Sequence, residues 1–148
     1  MNKKLKLTYF NGKGMAETSR ILLAAAQVDY EDFRYPLKIN DWKTYDFTRD
    51  EFDKDKADGK LWRSMGKVPF IEVDGITISQ SKAIERYLAF RYGFMGENLL
   101  EAGLIDSYCE YLRDLGENVW VKIPVTNTRN VELKPCALAA HSDKAHII

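Results

Sequence analysis

The chain has 148 residues, 45% hydrophobic and 30% charged, enough for one hydrophobic core or for one domain and part of another. Its 22 basic and 22 acidic residues cancel to a formal net charge of zero, which excludes a broad electrostatic footprint for nucleic acid or a membrane surface. Apolar runs such as Ile21-Leu-Leu-Ala-Ala-Ala26 are too short to span a bilayer, and no sustained apolar stretch follows the basic N-terminus as it would in a secretion signal. Cys109 and Cys136 lack any Cys-x-x-Cys spacing, so a reducing, cytoplasmic setting without a metal site is expected.

Lys4-Leu-Lys-Leu-Thr-Tyr9 alternates in polarity and predicts a first strand. Asn11-Gly-Lys-Gly14 interrupts it as a loop, and Met15 to Gln27 then predicts a helix with Glu17 in its first turn. Asp29 to Leu37 predicts a second strand, parallel to the first because a helix separates the two. Asn40 to Lys60 is charged and shows no clear period. It is expected to be a surface loop with a helical turn or two.

Pro69-Phe-Ile-Glu-Val73 and Ile76-Thr-Ile78 flank Asp74-Gly75, the strongest short hairpin signal in the chain. Lys82 to Tyr92 predicts a helix whose Ile84, Tyr87 and Leu88 form one buried face. After Gly93-Phe-Met-Gly96, a long amphipathic helix is expected from Leu99 to about Val121, with Leu104, Tyr108, Leu112, Leu115 and Val119 at three-to-four spacing. Residues 124–148 carry no period and are expected to form an irregular tail. The domains expected are therefore 1–93, an α/β unit, and 94–148, a helical region.

Residues 65–84 place a proline at a strand entrance, a tight turn, and a Ser-Gln-Ser helix start in succession. Together these suit the binding of a peptide-like anion, since helix-start amides and the positive dipole end favour a carboxylate. Each feature also has an ordinary structural explanation. Proline is common as the first residue of a strand, and Ser81 could serve as a simple helix cap.

Leu7-Thr-Tyr-Phe-Asn11, Gly14-Met-Ala-Glu-Thr-Ser-Arg20, Tyr30-Glu-Asp32, Gly66-Lys-Val-Pro-Phe-Ile-Glu-Val-Asp-Gly75 and Ser79-Gln-Ser-Lys-Ala-Ile-Glu-Arg-Tyr-Leu88 occur in this order. The set resembles the cytosolic glutathione S-transferases over roughly residues 4 to 121, and within them the sigma-like class that includes glutathione-dependent prostaglandin D synthase. The resemblance implies a thioredoxin-like β-α-β-α-β-β-α domain followed by an all-α region. It implies Tyr9 as the catalytic residue, its hydroxyl donating to the glutathione thiolate. Pro69 would be cis, presenting the Val68 backbone to the cysteinyl part of glutathione. Gln80 and Ser81 would hold the γ-glutamyl carboxylate, Lys67 and Trp42 would contact the glycyl end, and Asp114 would reach toward the partner subunit's ligand. Glutathione is the implied co-substrate, with a hydrophobic electrophile and a homodimer partner.

The sequence departs from the family in three places. Trp42 to Gly66 is longer than the sigma pattern, and Met15 stands where that class usually has arginine. Only the first long helix of the all-α bundle is recognisable, so the C-terminal region is expected to be incomplete. A non-catalytic glutathione-binding module and an inactive truncated product both remain open alternatives to the transferase. Cys109, His141 and His146 form no constellation and are assigned no role.

Overall fold

The computed structural model describes residues 5–41, 44 and 46–122, with side chains described through residue 115. Trp42 and residues 123–148 therefore lie outside the described residues, as does the side chain of Val119. A four-stranded sheet in the order β2 (Glu31–Tyr35), β1 (Lys6–Phe10), β5 (Phe70–Val73), β6 (Ile76–Ser79) organises the domain, and β3 (Lys38–Asp41) with β4 (Asp46–Thr48) forms a separate two-stranded sheet.

β1 (Lys6–Phe10) pairs in parallel with β2 (Glu31–Tyr35), placing Lys6 opposite Glu31 and Phe10 opposite Tyr35. Between them run a single 3₁₀ turn, Gly14–Ala16, and α1, Glu17–Ala25. β5 (Phe70–Val73) joins the other side of β1 antiparallel, with Thr8 opposite Phe70. β6 (Ile76–Ser79) returns antiparallel to β5, and α3 (Ser81–Arg91) follows it. The turn between these strands has positive φ at both Asp74 (50°) and Gly75 (84°). That is the backbone a tight two-residue hairpin requires, and Asp-Gly supplies it. The fold is the thioredoxin-like arrangement expected, followed by helix.

Alternation along β1 divides the core. Leu5 and Leu7 point to one face and pack with Leu23 of α1, Ile71 and Val73 of β5, and Ile84 and Leu88 of α3. Thr8 and Phe10 point to the other face, where Tyr35, Phe52, Leu61 and Phe70 form a smaller cluster with Phe10 against it. A third cluster of Ala89, Met95 and Ala102, with Ile105, ties α3 to α4 (Leu99–Lys122). Arg86 of α3 reinforces that junction, its Nε 2.6 Å from Asp106 and its Nη2 paired with Glu110.

The segment expected as a loop is more ordered than its sequence suggests. It forms β3 (Lys38–Asp41), β4 (Asp46–Thr48) and α2 (Asp50–Ala57). Acidic Asp50, Glu51 and Asp53 in the first turn of α2, with Lys54 and Lys56 at its end, complement the helix dipole. Phe52 is its buried residue, 4% exposed, so a single anchor holds it and leaves no period to read. β3 is exposed at every position and shows no alternation.

α4 is as long as expected, but its apolar stripe is not buried by the described residues. Leu104, Tyr108, Leu112 and Leu115 are 50–68% exposed, while the opposite side contributes Ala102 and Ile105 to the α3 junction. Among the described residues no helix is long and apolar enough to cross a membrane.

Candidate functional site

The sheet register brings three distant segments to one end of the sheet. Thr8 pairs with Phe70, and Phe70 with Ser79. The next residues outward are Tyr9 on β1, Pro69 before β5 and Gln80 after β6. Tyr9, Val68-Pro69 and Gln80-Ser81 are therefore neighbours across the edge from which α1 and α3 depart.

Tyr9 packs partly buried against the main core, with its ring edge-on to Phe10 at 5.5 Å. Its hydroxyl oxygen accepts the backbone N–H of Met15 at 3.2 Å. The loop that delivers this amide is held by Arg20, a residue to which no role was assigned from the sequence. Arg20 is 8% exposed and donates to the Gly12 carbonyl at 2.7 Å, to the Phe10 carbonyl, and to Asp32 at 3.2 Å. A buried guanidinium has to be paired in this way, and the pairing ties the end of β1, the loop and β2 together. The signal was present as a lone arginine within the apolar run of α1. Burial, with Asp32 adding to it, also pushes the neighbouring Tyr30 hydroxyl up, keeping it neutral.

The Val68-Pro69 peptide is cis, as the resemblance implied. Val68 lies just outside the ladder that begins at Phe70, and its N–H and C=O take no backbone partner among the described residues. Such groups are available to an extended peptide laid alongside them.

α3 begins one residue earlier than a Ser81 cap would require: Gln80 is the cap, at φ 74° and ψ 117°, and its side chain makes no capping bond. Ile84 N–H is the first to bond back, to the Gln80 carbonyl at 3.0 Å, so the amides of Ser81, Lys82 and Ala83 precede the ladder. No acidic residue occupies this first turn, in contrast to α1 and α2. Ser81 itself is 7% exposed and Gln80 is exposed. This helix start is free to receive a carboxylate.

Lys67 is exposed, has no ion pair among the described residues, and is fixed through its N–H to the Ser64 carbonyl at 3.1 Å. Met15 is 61% exposed. Asp114 is exposed on α4, and none of the contacts described above joins it to Tyr9, Val68 or Ser81.

Two cavities lie elsewhere. One of about 240 Å³ sits on the opposite face of the sheet, between Thr8, Tyr35, Lys60 and Glu72. The other, about 130 Å³ and apolar, lies among Leu22, Ala89, Met95 and Ile105. Neither is lined by Tyr9, Val68 or Ser81. Among the described residues no group of three or more His, Cys, Asp or Glu side chains is placed to hold a metal ion.

A family model for the glutathione S-transferase N-terminal domain matches residues 5–90. The chain belongs to the glutathione S-transferase family. It is 37% identical over 119 residues to glutathione S-transferase A1 of Homo sapiens, a match covering 80% of this chain and 48% of that protein. Glutathione S-transferase A4 of Mus musculus is 39% identical over 115 residues, covering 78% and 46%. Among solved structures, a monomeric glutathione S-transferase of the hookworm Necator americanus superposes with a TM-score of 0.61 at 35% identity, covering 76% of this chain and 47% of that one. A prostaglandin synthase D of Nilaparvata lugens gives 0.63 at 31% identity, covering 82% and 54%. This transferase-family chain spans about half the length of the relatives it matches.

Proposed function

We propose that the chain binds glutathione along the Val68–Ser81 edge and that Tyr9 stabilises its thiolate for transfer to a hydrophobic electrophile. The observation that carries the reading is the convergence at one sheet end of the Tyr9 hydroxyl, the Val68 backbone, without a backbone partner among the described residues, and the α3 helix start. These suit, in order, a thiolate, a peptide backbone and a carboxylate. In this reading the Val68 backbone pairs with the cysteinyl residue, while the first-turn amides of α3, the Ser81 hydroxyl and the Gln80 amide hold the γ-glutamyl carboxylate. Lys67 and Trp42 serve the glycyl end, and Asp114 extends toward a second subunit in a homodimer. The sigma-like assignment, a cytoplasmic setting and a helical region from residue 94 belong to the same proposal. Glutathione enters as co-substrate, bound through backbone groups and without a metal.

The chemistry asked of Tyr9 is modest. A charge-assisted hydrogen bond contributes about 1.5–3 kcal/mol, which is roughly one to two units of thiol pKa. Its hydroxyl oxygen already accepts one bond from Met15, so its own proton is left to donate.

A second reading is a glutathione-binding module without transferase activity, since the groups brought together at Tyr9, Val68 and Ser81 suit glutathione and none of them selects an electrophile. Calorimetric titration with glutathione tests the shared part of both readings. Ser81→Ala is expected to weaken binding roughly 10- to 100-fold, the loss of one hydrogen bond to a charged group. Unchanged affinity in that variant would remove the α3 start from the site. Turnover of an electrophilic aryl halide then separates the two readings, since a binding module gives none.

A further inference from the structure

We propose that the backbone amide of Met15 is a positioning group for Tyr9, and that Gly14 is the residue that lets it reach. The inference rests on the reading of Tyr9 given above and concerns what aims its hydroxyl proton.

A phenolic O–H prefers to lie in the plane of its ring, which leaves the proton two orientations. The Met15 N–H, 3.2 Å from the Tyr9 oxygen, donates to that oxygen. A donor there repels the hydroxyl proton from its own side and selects the other orientation. It also draws electron density from the oxygen, which makes the O–H a better donor in its turn. The same contact limits rotation of the ring, which is otherwise held by core packing and by Phe10.

The approach of amide to hydroxyl is close enough to dictate the preceding residue. Gly14 has φ +43°, and a Cβ built there would lie 2.7 Å from the Tyr9 hydroxyl oxygen, 3.2 Å from Cε1 and 3.3 Å from Cζ. A methyl group would displace the atom on which the chemistry depends. Glycine is thus required here for two separate reasons, the left-handed backbone and the space occupied by the hydroxyl. Arg20, bonded to the Gly12 carbonyl at 2.7 Å and to the Phe10 carbonyl, keeps the loop in register with the strand that carries Tyr9.

The amide hydrogen can be deleted without adding an atom. Met15 is the central residue of the Gly14–Ala16 turn and its side chain is 61% exposed. Proline is unsuitable, because its Cδ would point where the N–H points, into the Tyr9 oxygen 3.2 Å from the nitrogen. Replacing residue 15 by the α-hydroxy analogue of methionine through semisynthesis exchanges the N–H for an ester oxygen and keeps the side chain. The experiment measures glutathione affinity by calorimetry and the bound thiol's pKa by thiolate absorbance in this backbone ester, Met15→Leu, Gly14→Ala and Tyr9→Phe. The ester is expected to raise the thiol pKa by roughly half a unit, the share of one neutral hydrogen bond, with affinity changed less than threefold. Met15→Leu keeps the N–H and the wild-type value. Gly14→Ala raises the thiol pKa at least as far, and adding it to Tyr9→Phe raises it no further. Gly93→Ala, at φ +77° with open space around it, controls for backbone strain alone.

Equal thiol pKa values in the residue-15 ester and Met15→Leu would overturn the proposal, as would full additivity of Gly14→Ala with Tyr9→Phe. Amide NMR on the ligand-free protein separates this failure from failure of the Tyr9 reading. Loss of a downfield, exchange-protected Met15 amide in Tyr9→Phe supports the hydrogen bond whatever the thiol does, and an unchanged amide contradicts it.

Discussion

Tyr35 shows how a single side chain in this fold can be read through pH. It is 4% exposed, and burial pushes its hydroxyl up to about 12, with the bond to Asp55 at 2.9 Å adding to the shift. The raised value means that the folded state holds this proton more tightly than the unfolded chain. The resulting stability is complete below the unfolded value of about 10 and is lost as pH rises toward 12. Tyr35→Phe is therefore expected to flatten the loss of stability between these limits, measured by urea denaturation at successive pH values. A wild-type-like alkaline loss in the variant would assign it to another group. Asp55 shifts the opposite way: hydrogen bonding to Lys60 first, and then to Tyr35, lowers its pKa. Its contribution is present at neutral pH and lost on acidification through the depressed value. At this scale Tyr9, Pro69 and Ser81 were legible because each stands inside a local motif. Gly14 and Arg20 were in quoted motifs too, but their roles come from contacts across the chain, 2.7 Å from Arg20 to Gly12 and 3.2 Å from Met15 to Tyr9, that no spacing rule supplies.

Elements were legible where a period and its punctuation agreed. β1, the β5–β6 hairpin and α3 each combined one buried face with a clear boundary, and each lies within a residue or two of its expected limits. The hairpin depends on Gly75 at φ 84°. Gly75→Ala is expected to cost about 1–2 kcal/mol of stability, the penalty for a side chain in the left-handed region, read as a lower urea midpoint at unchanged slope. No loss would show that the turn relaxes to another type. α2 was expected only as a helical turn or two without limits, for the opposite reason: charge placement and one anchoring Phe52 hold it, and neither produces a stripe. α4 reverses the case again. Its stripe was plain in the sequence, yet Leu104, Tyr108, Leu112 and Leu115 are exposed among the described residues. A hydrophobic period identifies a face able to be buried and does not say what buries it.

At the scale of the whole molecule, the fold carries three separate parts of the chain to one sheet end. Residues 9, 68–69 and 80–81 are far apart in sequence, and the pairing of β1 with β5 and of β5 with β6 aligns them. The main core beneath them, Leu7, Leu23, Ile71, Ile84 and Leu88, is fully buried, so the edge stands on a rigid base. The match to the transferase N-terminal domain covers this unit, residues 5–90. The most direct test of the account titrates the thiol of bound glutathione by its thiolate absorbance in the wild-type chain and in Tyr9→Phe. The account predicts a depressed thiol pKa in the wild type that rises by about one to two units in the variant, with glutathione still bound. Bound glutathione with the same thiol pKa in both proteins would contradict it.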